Sequence, residues 1–182
     1  MDRHEFAQQY QAISQRLWLI AIGVVGNRAD ADDVVQEAAL VAFRKRDSFR
    51  EGTSFSAWVS QIVRFCAANH RRRTMGRNTQ SLDPASMDLQ LESSDVVAEF
   101  NSLGNASEFQ GAFDDDMLRG LNQLSVEARS CLLLRVVDGL AYADIAELMS
   151  IPEGTAMSHV HRSKKWLRKV YSNTSGHQGG SL

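Results

Sequence analysis

Thr155, Met157, Ser158, His161, Arg162 and Lys165 fall within eleven consecutive positions and bring hydroxyl, thioether, imidazole, guanidinium and ammonium groups to one short stretch. Their polar members can donate to phosphate oxygens and to base edges, and a methionine methyl can lie against a thymine methyl. The spacing also supplies a platform. Ala156, Val160, Ser163, Leu167 and Val170 recur at alternating steps of four and three, which gathers them on a narrow arc of a helix. Ser158, His161, Arg162, Lys165, Arg168 and Lys169 occupy the opposite arc. Before them Ser150-Ile151-Pro152 reads as a tight turn, with Pro152 pre-setting the φ of a helix start, and Ile145, Ala146, Leu148 and Met149 mark a preceding helix. Leu140 to Lys169 is thus read as helix, turn and basic-faced helix, the form in which a recognition helix enters the major groove. A solvated surface helix would carry the same basic face, so the rest of the chain has to decide between them.

The charge distribution separates two modules. Residues 1–77 hold 12 Lys and Arg against 8 Asp and Glu, residues 78–112 hold none against 6, and residues 113–182 hold 8 against 8. A formal net charge of -2 therefore conceals a basic front module, an acidic connector and a rear module whose positive charge collects at its end. The connector, rich in Ser, Asn, Asp and Gly, reads as a mostly irregular linker, in which Val96-Val97 and Phe100 are short apolar pieces. Residues 173–182 read as a disordered tail.

Every other segment has helical periodicity. Phe6, Tyr10, Ile13, Leu17, Ile20 and Val24 predict a long first helix, about Glu5 to Val25, with one buried face. Asp30 is expected to cap a second helix that runs to about Arg46, with Asp32 and Asp33 at its positive end. After the loop Asp47 to Thr53, a third helix capped by Thr53 or Ser54 should bury Phe55, Trp58, Ile62, Cys66 and Asn69 and turn Ser60, Arg64, Ala67 and Arg71 outward, with Phe65 packed at the edge of the buried face. It ends in Arg71, Arg72, Arg73 and Arg77, a cluster suited to phosphate contact. In the rear module helices are expected over Asp114 to Leu124 and Ser125 to Val137, with Gly139 ending the second. The fold class is all-α, two small helical domains joined by a flexible acidic linker.

Asp30-Ala-Asp-Asp33-Val-Val-Gln36-Glu37, then Phe43, Asp47-Ser-Phe49-Arg50 and Phe55-Ser-Ala-Trp58, resembles the second conserved region of extracytoplasmic-function (ECF) sigma factors of bacterial RNA polymerase. Leu132-Leu-Leu-Arg135, Asp138-Gly-Leu140, Tyr142-Ala-Asp-Ile145-Ala146 and Pro152-Glu-Gly154-Thr155 resembles their fourth region. The resemblance implies that Asp33, Gln36 and Glu37 bind the clamp of core polymerase. It implies that Phe49, Arg50, Arg64, Phe65, Arg71, Arg72 and Arg73 serve the -10 element, where strand opening needs a seat for an unstacked base and a positive track for the single strand. Thr155, Met157, Ser158, His161, Arg162 and Lys165 would serve the -35 element. Two departures stand out. Phe65 replaces an asparagine common in the family, with packing favoured over stacking of its ring on a base, and Met157 and His159 replace basic residues. On this resemblance residues 1–77 are region 2, 78–112 the linker and 113–172 region 4, with core polymerase and promoter DNA as partners and an anti-sigma factor left open.

Other classes find little support. There is no phosphate-binding glycine loop, no nucleophile with an identifiable base and no paired ligand spacing, so neither an enzyme nor a cofactor is expected. His159 and His161, two apart on a helix, diverge too far for a shared metal. Cys66 and Cys131 read as reduced core thiols and the longest apolar run, Leu17 to Val25, is too short to span a bilayer, which leads to a cytoplasmic protein. A stand-alone helix-turn-helix regulator is the alternative, distinguished by acting without polymerase.

Overall fold

The computed structural model describes residues 1–76 and 113–175, with side chains as far as Lys169. Among these residues there are seven α-helices, one 3-10 turn and no strand. The expected linker 78–112, with Val96, Val97 and Phe100, and most of the expected tail lie outside the described residues, as does the side chain of Val170.

Helix α1 spans Arg3–Val25, capped by Asp2, whose carboxylate accepts from the Glu5 amide. It ends at Gly26, where φ of 85° fits glycine, and a Cβ there would run into Asn122. Helix α2 spans Arg28–Arg44. Its cap is Asn27 rather than Asp30. The Asn27 side chain accepts from the Asp30 amide at 2.9 Å and donates to the Asp30 carboxylate at 2.7 Å, so Asp30 sits three residues inside and completes a reciprocal cap. The helix stops at Arg44 and a 3-10 turn, Arg46–Ser48, leads into the loop. Helix α3 spans Phe55–Gly76, with Ser54 accepting from the Ala57 amide at 3.1 Å. In the rear part α4 is Asp115–Leu121, α5 Val126–Val136, α6 Tyr142–Met149 and α7 Glu153–Ser175. Asp114 and Ser125 cap α4 and α5 through side-chain oxygens.

Helices α1, α2 and α3 pack on one another, and α5, α6 and α7 form the rear bundle. The two bundles then dock, with α5 lying on α1 and α6 on α3, so that one continuous apolar core runs through both. Docking corrects two sequence expectations. The first helix has more than one buried face. Leu17 to Val24 is buried all round because α2 and α3 cover part of its circumference and α5 covers another. On α3, Ser60 and Ala67 are buried instead of outward, while Trp58, Ile62 and Asn69 are only half-buried. A periodic pattern identifies the arc facing the local bundle, but small residues such as Ser60 and Ala67 let a second surface approach without announcing it.

Polar contacts and an aromatic pair flank the shared apolar core at the junction. Phe113 is buried with its ring edge-on to Trp18 at 5.5 Å, and the Trp18 indole donates to Asp32 at 2.7 Å. Arg16 pairs with Asp138 at 2.6 Å and Arg28 with Asp115 at 2.7 Å. Arg129 reaches from α5 to the last carbonyls of α1, donating to Gly23 O at 2.6 Å and Val24 O at 3.2 Å. Its neighbour Asn122 donates to Gly26 O at 2.9 Å.

Candidate polymerase and nucleic-acid interface

The rear site is built by α6, its turn and α7. Ser150 takes the left-handed conformation, φ 55° and ψ 46°, and the Ile151 amide returns to Ala146 O at 3.0 Å, which closes α6 and turns the chain sharply. Pro152 O then accepts from the Thr155 and Ala156 amides and opens α7. Ala156, Val160 and Ser163 are buried under α7, and Leu167 packs at the margin of the same core. The opposite face carries Met157, Ser158, His161, Arg162 and Lys165 exposed, with Thr155 half-buried at its start. Lys164 also projects to solvent beside them, a cation that the sequence reading left out because it falls between the two arcs. Arg162 Nε is tied to Ser158 O of its own helix at 3.2 Å, which orients the guanidinium along the face. A row of donors on a packed, rigid helix suits a groove.

On the front module Asp33 and Gln36 are exposed on α2, one turn apart, and Glu37 is half-buried beside them. Glu37 pairs with Arg73 of α3 at 3.1 Å. The expected polymerase contact and an expected DNA contact therefore meet in one ion pair. Asp30 similarly lies 3.1 Å from His70.

The residues expected at the -10 element separate into three settings. Arg50 in the loop and Arg71 and Arg72 near the far end of α3 are exposed cations, the kind of group that can contact a nucleic-acid backbone. Phe49 is a packing residue, edge-on to Phe55 at 5.6 Å and tilted against Trp58 at 5.3 Å, so its ring is engaged with the fold. Phe65 contradicts its sequence reading. It is 52% exposed rather than packed, because the buried arc of α3 runs through Val59, Val63, Cys66 and Ala67 and leaves position 65 outside it. An aromatic face open to solvent can stack on a base. Arg64, expected to point freely outward, instead donates to Leu148 O at 3.3 Å and to the Ser150 hydroxyl at 3.1 Å, holding the turn of the helix-turn-helix.

Residues 9–77 match the sigma-70 region 2 family and residues 114–167 match sigma-70 region 4. The ECF RNA polymerase sigma-E factor of Escherichia coli K12 is 31% identical over 137 residues, covering 75% of this chain and 71% of the relative. The chain belongs to the ECF sigma factors of RNA polymerase. This ECF sigma factor is also similar to the RNA polymerase sigma-H factor of Pseudomonas aeruginosa, 27% identical over 93% of this chain and 87% of that one. Its fold resembles that of the sigma factor RpoE solved in complex with the anti-sigma factor NepR from Bartonella quintana, with a TM-score of 0.63, 24% identity and coverage of 92% and 97%. It also resembles CnrH solved with the cytosolic domain of CnrY, with a TM-score of 0.61, 16% identity and coverage of 94% and 90%. Among the described residues of this ECF sigma factor no helix is long and apolar enough to cross a membrane.

Proposed function

We propose that this ECF sigma factor joins core RNA polymerase through Asp33, Gln36 and Glu37 of α2 and directs it to promoters that α7 reads at the -35 element. Residues 1–77 act as region 2, residues 113–172 as region 4, 78–112 as the linker between them and 173–182 as a tail. At the -10 element Arg50, Arg71 and Arg72 follow the opened strand and Phe65 stacks on an unpaired base. Phe49 acts there by fixing the loop, and Arg64 and Arg73 join once released from Ser150 and Glu37. At the -35 element Thr155, Ser158, His161, Arg162 and Lys165 supply donors while Met157 supplies an apolar contact.

The observation that carries the reading is the two-sided α7, whose apolar side is consumed by the core while its cationic side is left to solvent on a rigid support. The factor works by binding and placement in the cytoplasm, the polymerase supplying the chemistry. The similar fold solved with an anti-sigma factor supports an inhibitory protein partner for this chain too. Run-off transcription with purified core polymerase on a pool of genomic promoter fragments tests the proposal. Promoter-specific transcripts that need both proteins are expected, whereas specific promoter binding by the chain alone, with no effect on core enzyme, would replace it with a stand-alone regulator.

A further inference from the structure

Helix α3 has no Asp or Glu in its 22 residues but carries four arginines, Arg64, Arg71, Arg72 and Arg73. Two of them are already engaged. Arg64 donates to Leu148 O and to the Ser150 hydroxyl, and Arg73 pairs with Glu37 of α2. Arg71 stands seven residues beyond Arg64 and so lies on the same side of the helix, within about 20° of it. Arg72 lies elsewhere. Seven residues beyond Phe65, it shares the stripe of that ring, with Ala68 between them, and all three are exposed.

Phe65 is 52% exposed and enters no ring contact among the described residues, unlike Trp58, which leans on Phe49 at 5.3 Å and on Phe55 at 5.8 Å. The opposite arc is buried through Val59, Val63 and Cys66, so the exposed ring stands on an anchored helix. Asn69, one turn back, accepts from Arg72 at 2.5 Å and steadies the guanidinium. Seven residues of helix rise about 10 Å, or about three base steps of roughly 3.4 Å. A strand lying along α3 can therefore set one base on Phe65 and bring a later phosphate to Arg72, while the small Ala68 leaves the path between them open. A ring and a cation on a helix without carboxylates match a polyanion that carries flat π-faces, which is a single-stranded nucleic acid. The phenyl group has neither donor nor acceptor, so it cannot tell base edges apart. It responds to the π-surface that covers it, and a purine covers more than a pyrimidine.

We propose that Phe65 and Arg72 form a two-point grip on an unpaired strand, in which the base on Phe65 is chosen by ring size, purine over pyrimidine, with neither edge read. The proposal rests on the sigma-factor reading for the source of the strand, and deepens it by assigning how one base of that strand is selected. Both groups are exposed in the chain by itself, so the grip needs no polymerase.

Fluorescence anisotropy with the full chain and short abasic oligonucleotides, each carrying one central base, tests the grip at fixed salt. The adenine and guanine oligomers should bind alike, within about 2-fold of each other, and roughly 5- to 100-fold more tightly than the oligomer with no base, with thymine in between. Phe65→Ala, a change at an exposed position that should spare the fold, should make all four oligomers bind equally, and Phe65→Trp should restore the order. Arg72→Ala should weaken all four and lower the slope of log affinity against log salt by about 0.7, the share of one phosphate on a single strand. Unchanged discrimination in Phe65→Ala would overturn the grip. A difference above about 10-fold between adenine and guanine would overturn it too, since an edge-reading group such as the exposed Gln61, one turn before Phe65, would then be choosing the base. Binding of a polyglutamate peptide but of no oligomer would give the stripe to an acidic protein segment instead. Because these measurements contain no polymerase, failure to programme core enzyme would remove the proposed function and leave the grip standing, whereas lost discrimination with intact transcription would remove the grip alone.

Discussion

Truncating Phe113 to alanine should cost about 4 kcal/mol, and the structure says where the loss will fall. Phe113 is only 1% exposed, and its ring meets Trp18 at 5.5 Å and 60°. Burying such a ring is worth about 1.5–3 kcal/mol in transfer free energy, and an edge-on aromatic pair adds about 0.5–1.5 kcal/mol. The vacated space cannot readily close. Trp18 is held by its hydrogen bond to Asp32 at 2.7 Å, so it cannot swing into the gap. A persistent cavity puts the substitution well inside the usual range of about 3–5 kcal/mol for a buried Phe→Ala change. The lost contact lies between the bundles, so it should appear first as undocking. Urea unfolding of the full chain, followed in parallel by tryptophan fluorescence and far-UV ellipticity, provides the assay. In Phe113→Ala, on a Trp58→Phe and Trp166→Phe background that leaves Trp18 as the fluorophore, the fluorescence change should move to lower urea and lead the ellipticity change, since Trp18 reports the junction while the helices survive it. A loss below about 1 kcal/mol with the two signals still coincident would refute the shared core inferred for Phe113 and Trp18.

Three further outcomes are expected. Asp33→Lys combined with Glu37→Lys should abolish co-purification with core polymerase yet leave ellipticity unchanged, because the Glu37–Arg73 pair is a partly exposed one worth no more than about 1 kcal/mol; normal assembly by the double variant would remove the proposed α2 contact. Arg162→Ala and Lys165→Ala should each weaken -35-dependent transcription. Loss of a base contact at Arg162 should cost about 1–3 kcal/mol and relax preference at one base pair, whereas loss of a phosphate contact should weaken all sequences alike, and equal promoter use by wild type and the double variant would remove α7 from the DNA. Burial pushes the Cys66 thiol up to about 12 and the Cys131 thiol up to about 11, with the charges of Glu37 and Glu127 adding to the effect. Unfolded thiols release their protons near about pH 8.5. Between that value and the raised folded values the native chain binds more protons than the unfolded one, so the contribution is complete below about pH 8.5 and is lost as pH rises toward about 11 for Cys131 and about 12 for Cys66. The fall is at most about 1.4 kcal/mol per pH unit for each thiol, and urea midpoints that stay constant from pH 8 to pH 10.5 would contradict it.

The helices, the two-sided character of α7 and the family were legible in the sequence alone. Local physics suffices for these. Alternating steps of three and four place Ala156, Val160 and Ser163 under α7 and Arg162 and Lys165 outside it, whatever the bundle packs against. Caps at Ser54, Asp114 and Ser125 need only the next turn of chain. At the start of α2 the expected cap Asp30 instead lies three residues inside the helix, and Asn27, whose side chain bonds both the amide and the carboxylate of Asp30, takes the cap position. Tertiary structure alone decided what meets across the modules. The apolar stretch Leu17 to Val24 is legible as a run of nonpolar residues, but nothing local says that α5 covers its second side. Arg129 and Arg64 are cations of the kind that usually face water, and only docking supplies the α1 carbonyls for one and the Ser150 turn for the other. Phe65 went the opposite way. The arc puts this apolar residue at the edge of the buried face, where packing is favoured over stacking, yet about 100° of helix rotation per residue was enough to leave it outside. Periodicity fixes the angle at which a side chain leaves its own helix, while what lies in that direction is set by contacts between residues as far apart in sequence as Gly23 and Arg129.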